Sequence, residues 1–184
     1  MAGGRGRGTG SFVWMAITPD TKNWTWVLER PCPECGFDSA ALGREEVGRL
    51  IRENTAEWQR ILAGEHVTRR PRDDVWSPLE YGCHVRDVYR ICDGRLDLML
   101  SRVDPTFANW DQDATALDDA YDTQDPATVV LELVAAATRI ADRFDGVSDD
   151  QWERGGIRSD GARFTVESFA KYVVHDVAHH LVDV

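Results

Sequence analysis

The sequence predicts an all-α protein, a four-helix bundle that follows an irregular N-terminal segment over residues 1–37. Two observations support this class. Apolar residues recur at three- and four-residue steps in four separate segments, and each of these segments follows a residue that can cap a helix. No segment shows a convincing β alternation. We expect one bundle domain over residues 38–184, with a long acidic connection between its second and third helices.

The first two helices are predicted from caps and apolar spacing. Asp38 offers an N-cap for the first helix, whose apolar face runs over residues 47–62 and stops at Gly64. The second begins with Ser77-Pro78-Leu79-Glu80, which combines a capping serine, a proline at the first helical position and a glutamate three residues after the cap. Its apolar face continues to Val103, so the helix should end near Asp104-Pro105.

The last two helices are predicted in the same way. Asp125-Pro126 repeats the cap and proline signal before a clean amphipathic segment that Gly146 closes. Residues 148–164 are interpreted as a loop, and Thr165 can cap the final helix. The apolar arc of this helix is too broad for a surface helix, so we expect it to be buried on much of its circumference.

The acidic connection over residues 105–125 has two interpretations. Unstructured loops of this length are uncommon in compact domains and are often functional, so this segment is a candidate for part of an active site. The alternative is a solvated crossover between helices.

Composition excludes several classes of partner. The chain has 184 residues, 42% of them hydrophobic, which is enough for one core. Its 21 Lys+Arg against 32 Asp+Glu give a formal charge of -11, which repels phosphate backbones and anionic lipid surfaces. No apolar run approaches a membrane span, and no signal peptide is visible. We therefore expect a cytoplasmic protein that binds neither nucleic acid nor membrane.

The histidines are the first candidates for chemistry. His175 and His179 are four residues apart in the last predicted helix, so both imidazoles lie on one face. His84 lies on the apolar stripe of the second helix and is expected to point inward. Three converging imidazoles would suit a catalytic metal with one open coordination position. The alternatives are a purely structural role, or a ligand set in which Asp176 and His180 form the pair beside His84.

The cysteines give a weaker signal. Four cysteines in a chain without secretory features are expected to be thiols or occasional ligands rather than a disulfide framework. Cys32-Pro33-Glu34-Cys35 is a CxxC motif, which can bind zinc or cycle as a dithiol. Zinc would need two more ligands, and neither Cys83 nor Cys92 supplies a matching second pair. The motif therefore stays structural or unassigned.

These motifs carry a family resemblance. Trp76-Ser77-Pro78 followed by His84, together with the His-x-x-x-His pair of His175 and His179, resembles the DinB superfamily. The closest similarity is to its thiol-dependent branch, which includes mycothiol-dependent maleylpyruvate isomerase and the mycothiol or bacillithiol S-transferases. The resemblance implies a four-helix bundle in which three residues hold a divalent metal, usually zinc or nickel.

The resemblance favours one ligand set without removing the other. It favours His84, His175 and His179 as the metal ligands. Val182 stands where the DinB pattern often has glutamine, and the isomerase branch uses an acid-x-x-x-His pair that only Asp176 and His180 can supply. The second ligand set therefore stays open.

The expected function is a metal-dependent thiol S-transferase in detoxification or secondary metabolism, which activates a low-molecular-weight, mycothiol-like thiol for attack on a small electrophile. The cofactor would be Zn2+, with Ni2+ or Fe2+ as alternatives, and the thiol would be a co-substrate. A hydrolase or isomerase of the same fold, or a non-catalytic stress-induced bundle, are the alternative functions.

Two further expectations concern ligands and partners. Arg158 and Arg163 precede the last helix and are candidates for binding an anionic group of the cofactor or substrate, with solvated charge as the alternative. The partner should be a small-molecule substrate, and a homodimer is an open alternative to a monomer.

Overall fold

The computed structural model describes residue 17 and residues 22–184. Most of the predicted irregular segment 1–37 lies outside these residues. Its described part contains a short 3-10 helix, Trp24–Leu28, and then a turn that contains the CxxC motif. This 3-10 helix packs against the last helix of the bundle, the helix that carries His175 and His179.

Four long helices form the bundle, and a fifth, short helix lies in the connection between the second and third of them. The helices are α1 Val47–Leu62, α2 Pro78–Ser101, α3 Gln112–Asp118, α4 Pro126–Asp145 and α5 Val166–His179. Helix α4 packs against α1 and α2, and α5 packs against the same two helices. The predicted bundle is confirmed. None of the helices within residues 22–184 combines the length and apolar character needed to cross a membrane.

The capping predictions are confirmed at three of the four helices. Ser77 accepts the N–H of Glu80, and the Glu80 carboxylate accepts the N–H of Ser77 at 2.8 Å. Asp125 and Thr165 cap α4 and α5 through their side chains. The predicted cap at Asp38 is wrong, because its carboxylate accepts the N–H of Ala40 and closes a turn instead.

Helix α1 therefore begins later than predicted. A short 3-10 helix, Arg44–Glu46, leads directly into it at Val47, which is the first residue of the apolar stripe.

A small three-stranded sheet corrects the expectation that no strand would form. Its strands are β1 Thr106–Phe107, β2 Gly155–Arg158 and β3 Arg163–Thr165, in the order β1-β2-β3. β1 runs parallel to β2, and β2 runs antiparallel to β3. Strands of two to four residues are too short for alternation to be recognised in a sequence.

The sheet lies directly on α2, which requires a glycine at one position. A Cβ atom at Gly156 would lie 2.7 Å from Cγ of Met99 and 2.9 Å from a ring carbon of Phe107. Because β3 leads straight into α5, this close contact fixes where the last helix starts relative to α2.

A buried polar link fixes the other end of α5. Asn54 of α1 donates its side-chain N–H to the carbonyl of Val177 at 2.7 Å, and Tyr89 of α2 donates its hydroxyl to the Asn54 carbonyl oxygen at 2.9 Å. Buried polar groups paired in this way hold elements in one arrangement. The last two turns of α5 are thereby positioned against both neighbouring helices.

Candidate metal centre and the adjacent cysteine–histidine group

Helix α5 carries two interleaved pairs of potential metal ligands. His175 and His179 form one pair, and Asp176 and His180, at the helix end, form the other. Both pairs have four-residue spacing, but they are offset by one residue and so face directions about 100° apart. Asp176 and His180 face α2, and His175 and His179 face the N-terminal segment.

Each pair belongs to a separate group of converging ligand atoms. The α2–α5 group consists of His84, Asp176 and His180, and within it one potential ligand atom per residue lies within 4.8 Å of the others. The cysteine–histidine group meets the same limit. It consists of Cys32, Cys35, His175 and His179.

The predicted ligand set is divided between these groups. His84 lies beside Asp176 and His180, whereas His175 and His179 lie beside the CxxC motif. The arrangement brings together the second ligand set that the sequence left open. All three histidines of the first set are buried, so none of them is a solvated surface residue. Metal binding by either set stays a prediction.

The ligand atoms of the α2–α5 group are spaced as if around a cation. Oδ1 of Asp176 lies 3.8 Å from Nε2 of His84 and 3.6 Å from Nε2 of His180. These distances are too long for hydrogen bonds. Ligands around tetrahedral zinc are separated by about 3.4 Å when the bonds are those typical of nitrogen and oxygen. The spacing therefore fits a metal better than it fits a hydrogen-bonded cluster.

Two of these three atoms have no hydrogen-bond partner among the described residues. Both ring nitrogens of His84 and Oδ1 of Asp176 are buried and accept or donate no hydrogen bond among the described residues. Buried polar atoms are nearly always paired, and an exception calls for an explanation such as an ion. The donor set of two imidazoles and one carboxylate suits zinc, nickel or iron. The residues of this group therefore fit a divalent cation.

Protonation states also suit metal binding. Burial lowers the pKa of His84, so this imidazole is neutral at neutral pH. Burial alone would raise the pKa of Asp176, but the neighbouring His84 and His180 outweigh it, and the net shift is downward. A neutral imidazole and an ionised carboxylate are the forms that bind metals.

Neighbouring side chains hold two of these ligands in place. Nδ1 of His180 lies 2.8 Å from a carboxylate oxygen of Asp183, which leaves Nε2 directed at the group. The ring of His84 stacks on Trp110, with centroids 5.2 Å apart and planes 6° apart, and Trp76 covers it from another side. The imidazole thus has apolar walls.

Asp87 does not support His84. Its carboxylate pairs with Arg86 and Arg90 and accepts the hydroxyl of Tyr121 at 2.6 Å. Because Asp87 and Arg86 are both buried, this ion pair lies inside the bundle.

The cysteine–histidine group lies where the N-terminal segment meets α5. Sγ of Cys32 is 3.8 Å from Nδ1 of His179, and Nε2 of His175 is buried without a hydrogen-bond partner in the part of the chain that the structure describes. Burial lowers the pKa of His175 to about 4. Trp24 packs on both histidine rings, with centroids 5.4 and 4.8 Å away. All four cysteines are free thiols, as expected.

A cleft of about 590 Å³ opens beside both groups. It shares Trp24, Gln112 and Tyr172 with a small cavity of about 60 Å³ that reaches His175, Asp176 and His179. A second cleft, of about 360 Å³, lies beside Trp76. These clefts give a small molecule access to the end of α5. The residues that line the larger cleft come from four segments: Lys22, Asn23, Trp24, Asn109, Trp110, Asp111, Gln112, Asp113, Arg158, Asp160 and Tyr172.

The acidic connection forms one wall of this cleft. Residues 109–113 line it, and Trp110 at their centre stacks on His84. The interpretation of this segment as part of the site therefore agrees with its position better than a purely solvated crossover does.

The two candidate arginines lie in different environments. Arg158 lines the cleft, and its guanidinium pairs with Asp160 at 2.8 Å and donates to the Tyr172 hydroxyl at 3.4 Å. Arg163 is exposed on β3 and does not line the cleft. The structure thus brings only Arg158 to the candidate site.

The fold and its ligand groups define a class of protein, a helical bundle with groups of potential metal ligands around the end of its last helix. The chain belongs to the DinB superfamily, whose model matches residues 49–183. No curated protein matches the sequence.

Two solved structures share this fold. YfiT from Bacillus subtilis, described as a probable metal-dependent hydrolase with an unusual four-helix bundle topology, is 21% identical with a TM-score of 0.68. The match covers 76% of this chain and 83% of YfiT. A mycothiol-dependent maleylpyruvate isomerase is 16% identical with a TM-score of 0.61, and the match covers 79% of this chain but only 62% of the isomerase.

Proposed function

We propose that this protein is a metal-dependent thiol S-transferase whose divalent cation, Zn2+ in the first instance, is held by His84, Asp176 and His180. The observation that carries the proposal is the convergence of three ligand atoms next to a cleft, two of which, Nε2 of His84 and Oδ1 of Asp176, are buried without a hydrogen-bond partner among the described residues. This assignment uses the ligand set that the structure brings together and not the set that the sequence favoured.

A divalent cation held by His84, Asp176 and His180 would keep one position open and would supply the charge that makes a thiol acidic there. The protein's own residues do the remaining work. Asp183 orients His180, and Trp76 and Trp110 keep water from His84. Arg158, already fixed by Asp160, offers a positive charge to a carboxylate on the substrate.

The choice of a thiol rests on chemistry and on one relative. The acid-x-x-x-His pair on α5 fits the pattern of the thiol-dependent branch, and the matched isomerase is named for its dependence on mycothiol. A hydrolase is the second candidate, because the YfiT fold matches with the higher TM-score and a metal-activated water can use the same open position.

The test combines metal analysis with a conjugation assay. The protein is incubated with mycothiol and a chlorinated arene, and thiol and chloride are measured together. Transfer forms one C–S bond and breaks one C–Cl bond, so each thiol consumed releases one chloride and one proton. We expect Asp176→Ala to lose both activity and one equivalent of metal, whereas Asp149→Ala, an exposed control in a turn, retains both.

The outcomes separate the candidates. Electrophile consumption without thiol consumption identifies the hydrolase. Full activity in the Asp176→Ala variant contradicts the assignment of the metal centre to His84, Asp176 and His180. An unmodified protein without metal and without activity leaves the non-catalytic bundle.

A further inference from the structure

The proposed function does not use the cysteine–histidine group, whose four side chains are also potential metal ligands. We propose that Cys32, Cys35, His175 and His179 form a second metal site, a closed structural zinc site of the Cys2His2 type. It joins the N-terminal segment to the last helix of the bundle. The donor set, the turn that presents the cysteines and the orientation of the histidines all support such a site.

The donor set and its spacing are those of tetrahedral zinc. Two thiolates and two imidazoles are a standard structural ligand set. The distance from Sγ of Cys32 to Nδ1 of His179 is 3.8 Å, and one ligand atom from each of the four residues lies within 4.8 Å of the others. A tetrahedral zinc with typical bonds separates its sulfur and nitrogen ligands by about 3.6 Å. The four side chains need little movement to bind the ion.

The CxxC turn is built to present both sulfurs on one side. The N–H of Gly36 donates to the carbonyl of Cys32 at 2.8 Å, and the N–H of Cys32 donates to the carbonyl of Phe37 at 2.8 Å. Gly36 has a φ of +75°, a conformation that L side chains rarely adopt. A tight loop closed by its own backbone therefore holds Cys32 and Cys35 together.

The histidines are oriented as ligands. Nδ1 of His179 faces Cys32, while its other nitrogen, Nε2, lies 3.3 Å from the carboxylate of Glu34. Metal-binding histidines almost always give their second ring nitrogen to such a partner. Nε2 of His175 is buried and has no hydrogen-bond partner within residue 17 and residues 22–184, which a zinc ion would explain.

Four protein ligands leave no open position, so this site is structural and not catalytic. Its ligands alternate along α5 with those of the α2–α5 group, because Asp176 follows His175 and His180 follows His179. A zinc ion here would therefore fix the rotation of the final turns of α5. It would hold Trp24, which lines the cleft, in place at the same time.

The test counts zinc in the full-length protein. Elemental mass spectrometry of the unmodified, zinc-loaded protein should give two equivalents, and a Cys32→Ser/Cys35→Ser variant should give one. Cys92→Ser, which changes a buried cysteine outside both groups, should keep two. Equal zinc in the double variant and the unmodified protein would overturn the proposal.

A second measurement does not depend on whether the double variant folds. Co2+ replaces zinc in the unmodified protein, and the absorption spectrum is recorded. Tetrahedral cobalt bound by two thiolates gives thiolate-to-cobalt charge-transfer bands, which a site of imidazoles and a carboxylate cannot produce. Their presence supports the Cys2His2 site, and a fully loaded cobalt protein without them overturns it. Neither result depends on thiol transfer, so this site can fail while the proposed function stands.

Discussion

The α2–α5 group and the cysteine–histidine group share one helix but differ in almost every property that matters for a metal. The first has three ligands, a carboxylate among them, and the second has four ligands with two sulfurs. Three ligands leave a position for substrate, and four do not. A shift of one residue along α5 therefore separates a candidate reactive centre from a candidate structural one.

The groups also connect different parts of the fold. The α2–α5 group joins two helices of the bundle, which other contacts already hold together. The cysteine–histidine group joins α5 to residues 22–37, a segment without a long helix. Loss of metal should therefore affect chemistry at the first group and stability at the second.

Selective removal of metal should give the largest difference between the groups. We expect EDTA at neutral pH to remove the metal of the α2–α5 group first, because its open position is accessible to a chelator. Thiol transfer should fall to background while one zinc remains and the far-UV circular dichroism is unchanged. Zinc content, activity and circular dichroism are measured on the same sample over time. Simultaneous loss of both metals would contradict the distinction between an open and a closed site.

Substitution of two adjacent histidines should separate activity from stability. His180→Ala should lower thiol-transfer activity by more than about 100-fold, since loss of a ligand exceeds the 10- to 100-fold effect of losing an outer partner. His179→Ala should instead lower the melting temperature by roughly 10 °C, because a zinc ion at a thousandfold excess over its Kd stabilises by about 4 kcal/mol. Thermal melts with and without zinc measure the stability of each variant, and rates per folded molecule measure its activity.

The control is His66→Ala, which alters an exposed histidine outside both groups. It should match the unmodified protein in both measurements. If His179→Ala melted at the same temperature as the unmodified protein in excess zinc, the structural site would be excluded.

The carboxylates behind the ligands offer a finer comparison. Glu34 lies behind His179, and Asp183 lies behind His180. Glu34→Gln should weaken zinc binding about 10- to 100-fold only at the cysteine–histidine group, and Asp183→Asn should do so only at the α2–α5 group. Competition with a zinc-binding dye gives both affinities. Equal weakening of both sites by either variant would show that the groups are not independent.

The smallest expected effect concerns substrate binding. Arg158→Gln should raise KM for a carboxylate-bearing electrophile about tenfold, the loss expected for a charged hydrogen bond of about 1.4 kcal/mol, with kcat unchanged. Arg139→Gln, an exposed change on α4, should leave KM unaltered. Steady-state kinetics of both variants give KM and kcat. A fall in kcat alone in the Arg158→Gln variant would show that Arg158 does not bind the substrate.

The bundle could be predicted because its signals are local. The reciprocal Ser77 and Glu80 cap lies within four residues, and the apolar stripe of α2 already placed His84 inward. The strands could not be predicted, because segments as short as β1 have no period of their own and form only by pairing with β2.

The ligand groups could be predicted only in part. The apolar arc of α5 is so broad that it did not decide which pair of ligands faces α2. The rotation is set by tertiary contacts such as the hydrogen bond from Asn54 to Val177. Cys32 and His179 are 147 positions apart, so no local pattern links them. A useful signal was present, because a CxxC pair and a His-x-x-x-His pair together make a complete Cys2His2 set.

The most direct test of the two-site account is the anomalous difference map of a zinc-loaded crystal, recorded at the zinc absorption edge. We predict two peaks per chain, one within about 2.0–2.3 Å of ligand atoms from Cys32, Cys35, His175 and His179, and one equally close to His84, Asp176 and His180. A single peak shared by His84, His175 and His179 would contradict the account and restore the ligand set that the sequence favoured.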